Sequence, residues 1–310
     1  MGKDTGKFAA IDIGTNSTLL LIAELSPESL LVPITQKQTT TRLGKGLGKS
    51  GVISREAQDV NIATLKQYQG IARKEGIEKI VVSGTQALRM AENGREVTRR
   101  IETETGLMVK VLSSDEEARL SFKAAATGLE EGKNILLVDI GGGSTELILG
   151  AGQEILKTGS FPVGAVNLTE KYLHKDPIDE KEFAALLAYI HKELQAFSPY
   201  ENQVKECSLL GVAGTITTLA EIDLKLEQYD ADQVHGHVMD QNRVKELLDN
   251  LRNRSLEERK KVTGLKAERA DIIVAGAAIL HGVMEIFKQE QITVSDRGLR
   301  YGLIMKELGL

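Results

Sequence analysis

The chain has 310 residues, 39 Lys and Arg against 44 Asp and Glu, and a formal net charge of -5. At roughly 150 residues per domain, this length predicts two domains, each able to enclose a core. A hydrophobic content of 41% with 27% charged residues excludes wholesale disorder, and the single Cys207 excludes an intrachain disulfide or a thiolate-clustered metal site.

The acidic balance, 4% aromatic content and absence of Trp argue against a nucleic-acid binder or a base-stacking platform. Asp12 arrives too early for a signal-peptide core. The longest apolar run, Ile272 to Phe287, is broken by His281 and Glu285, so it falls short of the ~18 residues of a membrane span. The expectation is a cytoplasmic protein without membrane or nucleic-acid partners.

In chain order, the segment Ile11 to Ala23 reads as an apolar strand, a Gly-containing turn and a second apolar strand. It returns at an offset of 127 residues as Val138 to Gly150, identical at six of thirteen aligned positions. A domain-sized offset predicts a duplicated α/β domain with a cleft between the halves. Between the copies, Arg42 to Gly51 imitates nucleotide-binding glycine motifs, but three residues rather than four separate the P-loop-like glycines. It is read as a flexible basic loop whose Lys45 and Lys49 attract polyanions.

Lys79 to Ser83 and Val109 to Leu112 read as strands around a helix near Glu92 to Glu104. Ser114 and Glu117 have capping-box spacing for a helix from Glu116 to Thr127. A hinge is expected at Thr127 to Lys133, giving domains 1–127 and 128–310. Beyond the second hairpin, Leu209 to Ala213 is a strand, with a helix from Thr218. Asp240 to Leu251 and Leu256 to Val262 read as amphipathic helices, and Arg252 to Arg269 as mostly solvated, with Arg269, at the border of the next helix, expected to point inward. Ala270 to Phe287 reads as a buried helix, with His281 as a hydrogen-bonded core histidine.

The segment Asp139 to Glu146 carries the strongest chemical signal. Its glycines, Gly141, Gly142 and Gly143, let a turn aim N–H groups at phosphate oxygens, and its two acids can hold a hard cation. Asp12 to Ser17 repeats the design. Gly211 to Thr218 is a third small-residue loop, opening a helix whose N–H groups favour anions. Arg89 has the donor geometry for phosphate. Glu117 has two readings, a helix cap or a general base for water. His235 and His237 lack a third ligand at zinc-site spacing.

Taken in order, these segments resemble the exopolyphosphatase/guanosine pentaphosphate phosphohydrolase (Ppx/GppA) family of the actin–hexokinase–Hsp70 superfamily. They are Asp12 to Ser17, Thr85 to Asn93, Glu116 to Arg119, Asp139 to Glu146, Gly211 to Thr215 and Ser295 to Gly302. The resemblance implies duplicated actin-like (ribonuclease H-like) domains and an interdomain cleft, with the C-terminal helix packing back on the first domain. It further implies hydrolysis of the terminal phosphate of polyphosphate, of guanosine pentaphosphate, or of both.

In that family Glu117 would be the base for water. Asp139 and Glu146 would be the magnesium-associated catalytic carboxylates, with Asp12 a further metal-side group. Gly141 to Gly143, Ser144, Thr145, Gly214 and Thr215 would cradle phosphates, with Asn16 and Arg89 contributing. The implied partners are polyphosphate and guanosine tetra- or pentaphosphate, and a homodimer. Tyr301 stands where the family commonly has Glu, and Asp115 where Gly is frequent. The alternatives are a non-catalytic alarmone-binding regulator and, on weaker grounds, a small-molecule kinase.

Overall fold

A computed structural model of the chain describes residues 6–27, 30–77, 79–127, 134–204 and 206–310. The chain divides into two compact units, Met1–Ala124 with Leu299–Leu310, and Ala125–Gly298. The C-terminal helix Leu299–Leu308 is therefore part of the first unit. Of the expected hinge, residues 128–133 lie outside those described.

In the first unit, strands β1 (Lys7–Ile13), β2 (Ser17–Leu25), β3 (Leu31–Thr40), β4 (Ile80–Gly84) and β5 (Val109–Val111) form one sheet in the order β3-β2-β1-β4-β5. β1, β2 and β3 are antiparallel neighbours, while β1, β4 and β5 run parallel. Helices α1 (Arg55–Lys74), α2 (Gly94–Thr105) and α3 (Ser114–Ala125) complete the connections. β1 is apolar from Phe8 to Ile11 and at Ile13, as suits a strand with both faces covered. Ala9, Ile11 and Ile13 join one core with Leu65 and Tyr68 of α1. Ala10 joins another with Leu21 and with Leu303 and Ile304 of the C-terminal helix. Fully buried side chains such as Ile304 contribute about 1.5–3 kcal/mol each.

The second unit repeats this plan. β6 (Asn134–Ile140), β7 (Thr145–Ala151), β8 (Glu154–Phe161), β9 (Ser208–Val212), β10 (Val238–Asp240) and β11 (Gln291–Val294) are ordered β10-β11-β9-β6-β7-β8. Apart from the extra edge strand β10, the order matches the first sheet. Even the irregularity is repeated: the register slips between Ile22 and Ala23, and again between Leu149 and Gly150. The 127-residue repeat therefore extends beyond the hairpin to the whole sheet.

Helices α4 (Ala165–Tyr172), α5 (Glu180–Leu194), α6 (Ala213–Asp223), α7 (Gln241–Arg252) and α8 (Ile273–Ile286) surround that sheet. Every residue of α8 from Ile273 to Met284 is buried. His281 is buried as expected, but its Nδ1 has no hydrogen-bond partner among the described residues.

Several expectations are corrected. α6 starts at Ala213, five residues before the position read from sequence, and Ala213 takes a left-handed φ of 71° directly after β9. The helix at Leu256 ends at Arg259, and the stretch expected to be mostly solvated buries Arg259, while Arg269 is buried at the border of the apolar helix as expected. The segment Arg42 to Gly51 is a compact turn rather than a flexible loop. Its backbone bonds the first hairpin, and it includes a short helix at Leu47–Ser50. Among the described residues, no helix is long and apolar enough to cross a membrane.

Candidate active site

In the first unit the β1–β2 tip is a tight turn closed by Gly14 N–H donating to the Ser17 carbonyl at 3.0 Å. A Cβ on Gly14 would stand 2.9 Å from that carbonyl oxygen, so glycine is needed there. The carbonyls of Thr15 and Asn16 accept from the segment after β3: Gly44 N–H donates to Thr15, Thr41 and Arg42 N–H to Asn16. No backbone acceptor among the described residues takes the N–H of Thr15 or Asn16. Asp12 and Asn16 are both buried. Asp12 Oδ1 accepts from the Ser83 hydroxyl at 3.5 Å, and the Asn16 amide donates to Ser17 Oγ at 3.3 Å.

Glu117 and Arg89 meet within this unit. The capping box on α3 is formed one residue earlier than the spacing predicted. Glu116 N–H donates to Ser113 Oγ at 3.2 Å, and Ser113 N–H donates back to Glu116 Oε2 at 3.2 Å. Glu117 thus has no share in the cap. It receives Arg89 Nη1 on Oε2 at 3.1 Å, while the same Nη1 donates to the Leu112 carbonyl at 2.7 Å. Both side chains are mostly buried, at 21% and 14% exposure. The remaining guanidinium nitrogens of Arg89 make no hydrogen bond among the described residues, so they are available to an anion. Asp115, in the position noted above, pairs with Arg119 at 2.7 Å on the exposed side of α3.

In the second unit the β6–β7 tip repeats the geometry of the first. Gly141 N–H donates to the Ser144 carbonyl at 2.9 Å. Here the start of α4 engages the turn's carbonyls. Ala165 N–H donates to Gly141, Val166 and Asn167 N–H to Gly142, and the Asn167 amide to Gly143 at 2.7 Å. A Cβ on Gly164 would lie 2.3 Å from the Gly143 carbonyl carbon, so a glycine is required for this approach. The N–H groups of Gly142, Gly143 and Ser144 have no backbone acceptor among the described residues. Such a run of N–H donors has the chemistry to receive an anion. The Thr145 hydroxyl is not part of it, because it is buried and donates to the Val163 carbonyl at 2.6 Å.

Asp139 and Glu146 are direct cross-strand partners, so their side chains project to the same face. Glu146 is buried, and its Oε1 accepts from Ser144 and Ser160, each at 2.8 Å. Two carboxylates placed opposite one another are unfavourable without a cation. Magnesium commonly uses one or two carboxylates, several waters and substrate phosphates. This all-oxygen pair fits such an ion, although among the described residues there is no cluster of three or more His, Cys, Asp or Glu.

The third loop opens α6. The helix start has no side-chain cap, leaving its first N–H groups to an anion. Thr215 is buried, and a Cβ on Gly276 of α8 would stand 2.5 Å from its methyl group. Gly214 lies against a residue not counted as a ligand from sequence: a Cβ there would meet Arg269 Nη1 at 2.3 Å. Burial pushes the Arg269 guanidinium down to about 10, opposed by the charges of Glu221 and Asp271; it remains a cation at neutral pH. Burial likewise raises the Glu221 carboxyl, with Lys266 and Arg269 opposing. Ser160, Asn167 and Arg269, which contact Glu146, Gly143 and Gly214, are additional candidates beside the residues read from sequence. Only Arg269, at the border of the apolar helix, carried a sequence signal.

His237 Nε2 lies 2.7 Å from Asp223 Oδ2. Tyr301 is buried in the first unit, within 3.5 Å of the Gln36 amide, beside Arg300 donating to Gln36 and to the Leu20 carbonyl.

The Ppx/GppA phosphatase family profile matches residues 21–310. The chain is 28% identical to Exopolyphosphatase 2 of Mycobacterium tuberculosis, over 98% of this chain and 99% of that one. It is 32% identical to a bifunctional 3-dehydroquinate synthase/phosphatase of Fusobacterium nucleatum, covering 96% of this chain but spanning only 46% of that longer protein. Two crystal structures are close in fold. The Aquifex aeolicus member of the Ppx/GppA family has a TM-score of 0.80 at 33% identity, with 97% of each chain covered. An exopolyphosphatase from Cytophaga hutchinsonii has a TM-score of 0.90 at 28% identity, with 98% of each covered.

Proposed function

Because this chain belongs to the Ppx/GppA phosphatase family, with its duplicated actin-like α/β fold, we propose that it is an exopolyphosphatase. It releases the terminal phosphate of linear polyphosphate, and guanosine pentaphosphate, with the same terminal phosphoanhydride, is a second substrate. The observation that carries this reading is the Gly141–Ser144 turn. Its carbonyls are occupied and its N–H donors lack backbone acceptors, beside the Asp139–Glu146 pair.

In this mechanism Glu117 accepts a proton from water as the water oxygen bonds to the terminal phosphorus. The bridging P–O bond breaks, giving orthophosphate and a chain shortened by one phosphate. Arg89 fixes the Glu117 carboxylate through Nη1 and offers its other nitrogens to phosphate oxygens. The N–H groups of Gly142, Gly143 and Ser144, the start of α6 at Gly214 and Thr215, and buried Arg269 stabilise developing negative charge without reorganising. Asp139 and Glu146 would hold magnesium, which neutralises phosphate charge; Ser144 and Ser160 keep Glu146 oriented for it. The Thr145 hydroxyl acts structurally, through Val163.

The test measures orthophosphate release in magnesium from short polyphosphate, long polyphosphate and guanosine pentaphosphate in parallel. Release from polyphosphate supports the proposal. Tight nucleotide binding with no release from any substrate replaces it with a regulator.

A further inference from the structure

The turn after β3 contributes nothing to the chemistry above, yet it is fastened to the first hairpin at the place where α4 fastens the second. Gly44 N–H reaches the Thr15 carbonyl at 2.8 Å, and Arg42 N–H reaches Asn16 at 2.8 Å. The approach requires glycine: a Cβ on Gly44 would stand 2.3 Å from the Thr15 methyl carbon. Arg42 adopts a left-handed φ of 49° to make the turn.

What differs between the two units is charge. From residue 30 to residue 54 the sequence holds Lys37, Arg42, Lys45 and Lys49 and no acid, in a chain whose net charge is -5. Lys45 directly follows the glycine pressed against Thr15, and Lys45 and Lys49 are exposed. Glu92 faces this segment, its Oε1 2.8 Å from where a Cβ of Gly51 would be. Arg55 and Glu56 follow at the start of α1 and roughly cancel. Flexible ammonium groups beside backbone donors suit a diffuse polyanion rather than a single oriented group.

We propose that the turn carrying Lys45 and Lys49 is a second anion subsite, for phosphates of the substrate other than the one released. It rests on the exopolyphosphatase reading above and adds where the remainder of the substrate is held. The chemistry recognised is a phosphoanhydride segment, either the interior of a polyphosphate chain or the 3′-diphosphate of a guanosine nucleotide.

The test compares wild type, Lys45→Ala/Lys49→Ala, Lys45→Arg/Lys49→Arg and a remote charge control, Lys74→Ala, on long polyphosphate, tripolyphosphate and guanosine pentaphosphate. For the double alanine variant, KM on long polyphosphate is expected to rise about tenfold with kcat changed less than twofold. The salt dependence of KM should flatten, and the arginine variant should restore it. A smaller rise on tripolyphosphate marks the chain interior as the occupant; a larger rise on guanosine pentaphosphate marks the 3′-diphosphate. Equal effects on all three substrates, or none beyond the control, overturn the subsite. If wild type hydrolyses nothing, the exopolyphosphatase reading fails by itself. The subsite is then read from direct binding of long polyphosphate to the same four proteins, and unchanged affinity in the alanine variant overturns it.

Discussion

Glu116 and Glu117 are adjacent in sequence and separate in role. Glu116 closes the Ser113 cap and also pairs with Lys110 at 2.7 Å; Glu117 takes Arg89. Glu116→Ala is expected to cost at most about 1 kcal/mol of stability and to leave kcat within twofold, measured by denaturant unfolding alongside phosphate release. A large loss of activity with no loss of stability would reverse these roles. Gly214 gives a second test at this scale. Its Cα is packed against a buried guanidinium, so Gly214→Ala must displace Arg269 or the loop. Roughly 1–3 kcal/mol of destabilisation is expected, with kcat/KM down at least tenfold. An unchanged kcat/KM would remove Gly214 and Arg269 from the phosphate loop.

At the scale of elements, the end of α6 is tied to neighbouring segments by Asp223, which accepts from Arg243 at 2.5 Å and His237 at 2.7 Å. Burial alone would raise its carboxyl, but the Arg243 and His237 hydrogen bonds outweigh it and hold the carboxyl below its usual range. A group lowered in this way contributes stability above its unfolded value and loses it as pH falls through the folded one. Asp223→Asn is therefore expected to be roughly 2 kcal/mol less stable at pH 7. The gap should close as pH drops below about 4, read from urea unfolding of both proteins across that range; a constant gap contradicts the assignment.

The same scale shows what was legible in the sequence. The apolar strands β1, β2, β6 and β7 could be read because both faces are buried and the glycine turn is repeated. The third strands, β3 and β8, could not. They lie at sheet edges with mixed exposure, and their segments, LVPITQKQTT and EILKTGSF, lack an apolar run. The cap was misplaced by one residue because Ser113-Ser114 and Glu116-Glu117 offer two registers of equal spacing. Ser160 and Asn167 were invisible for another reason: each serves the site through one hydrogen bond to a residue distant in sequence.

For the whole molecule, an acidic chain that handles a polyanion needs positive potential only where it is used. On the function proposed, the two hairpin tips would provide backbone N–H groups, and Arg89, Arg269 and the turn after β3 would provide cations. On that proposal the Asp139–Glu146 pair would hold a cation beside phosphate, while the sheets are held by their own strand ladders. Chelation should thus abolish phosphate release with unchanged far-UV circular dichroism, and added magnesium should restore it; full activity in chelator would contradict the role given to the pair.

The central claim is that Glu117 activates water against a terminal phosphoanhydride. The most direct measurement is orthophosphate release from polyphosphate by wild type and Glu117→Gln, at matched folding and in magnesium. Wild type is expected to release orthophosphate, and Glu117→Gln to have at least a hundredfold lower kcat, with substrate binding retained. Wild-type-like turnover by Glu117→Gln would contradict it.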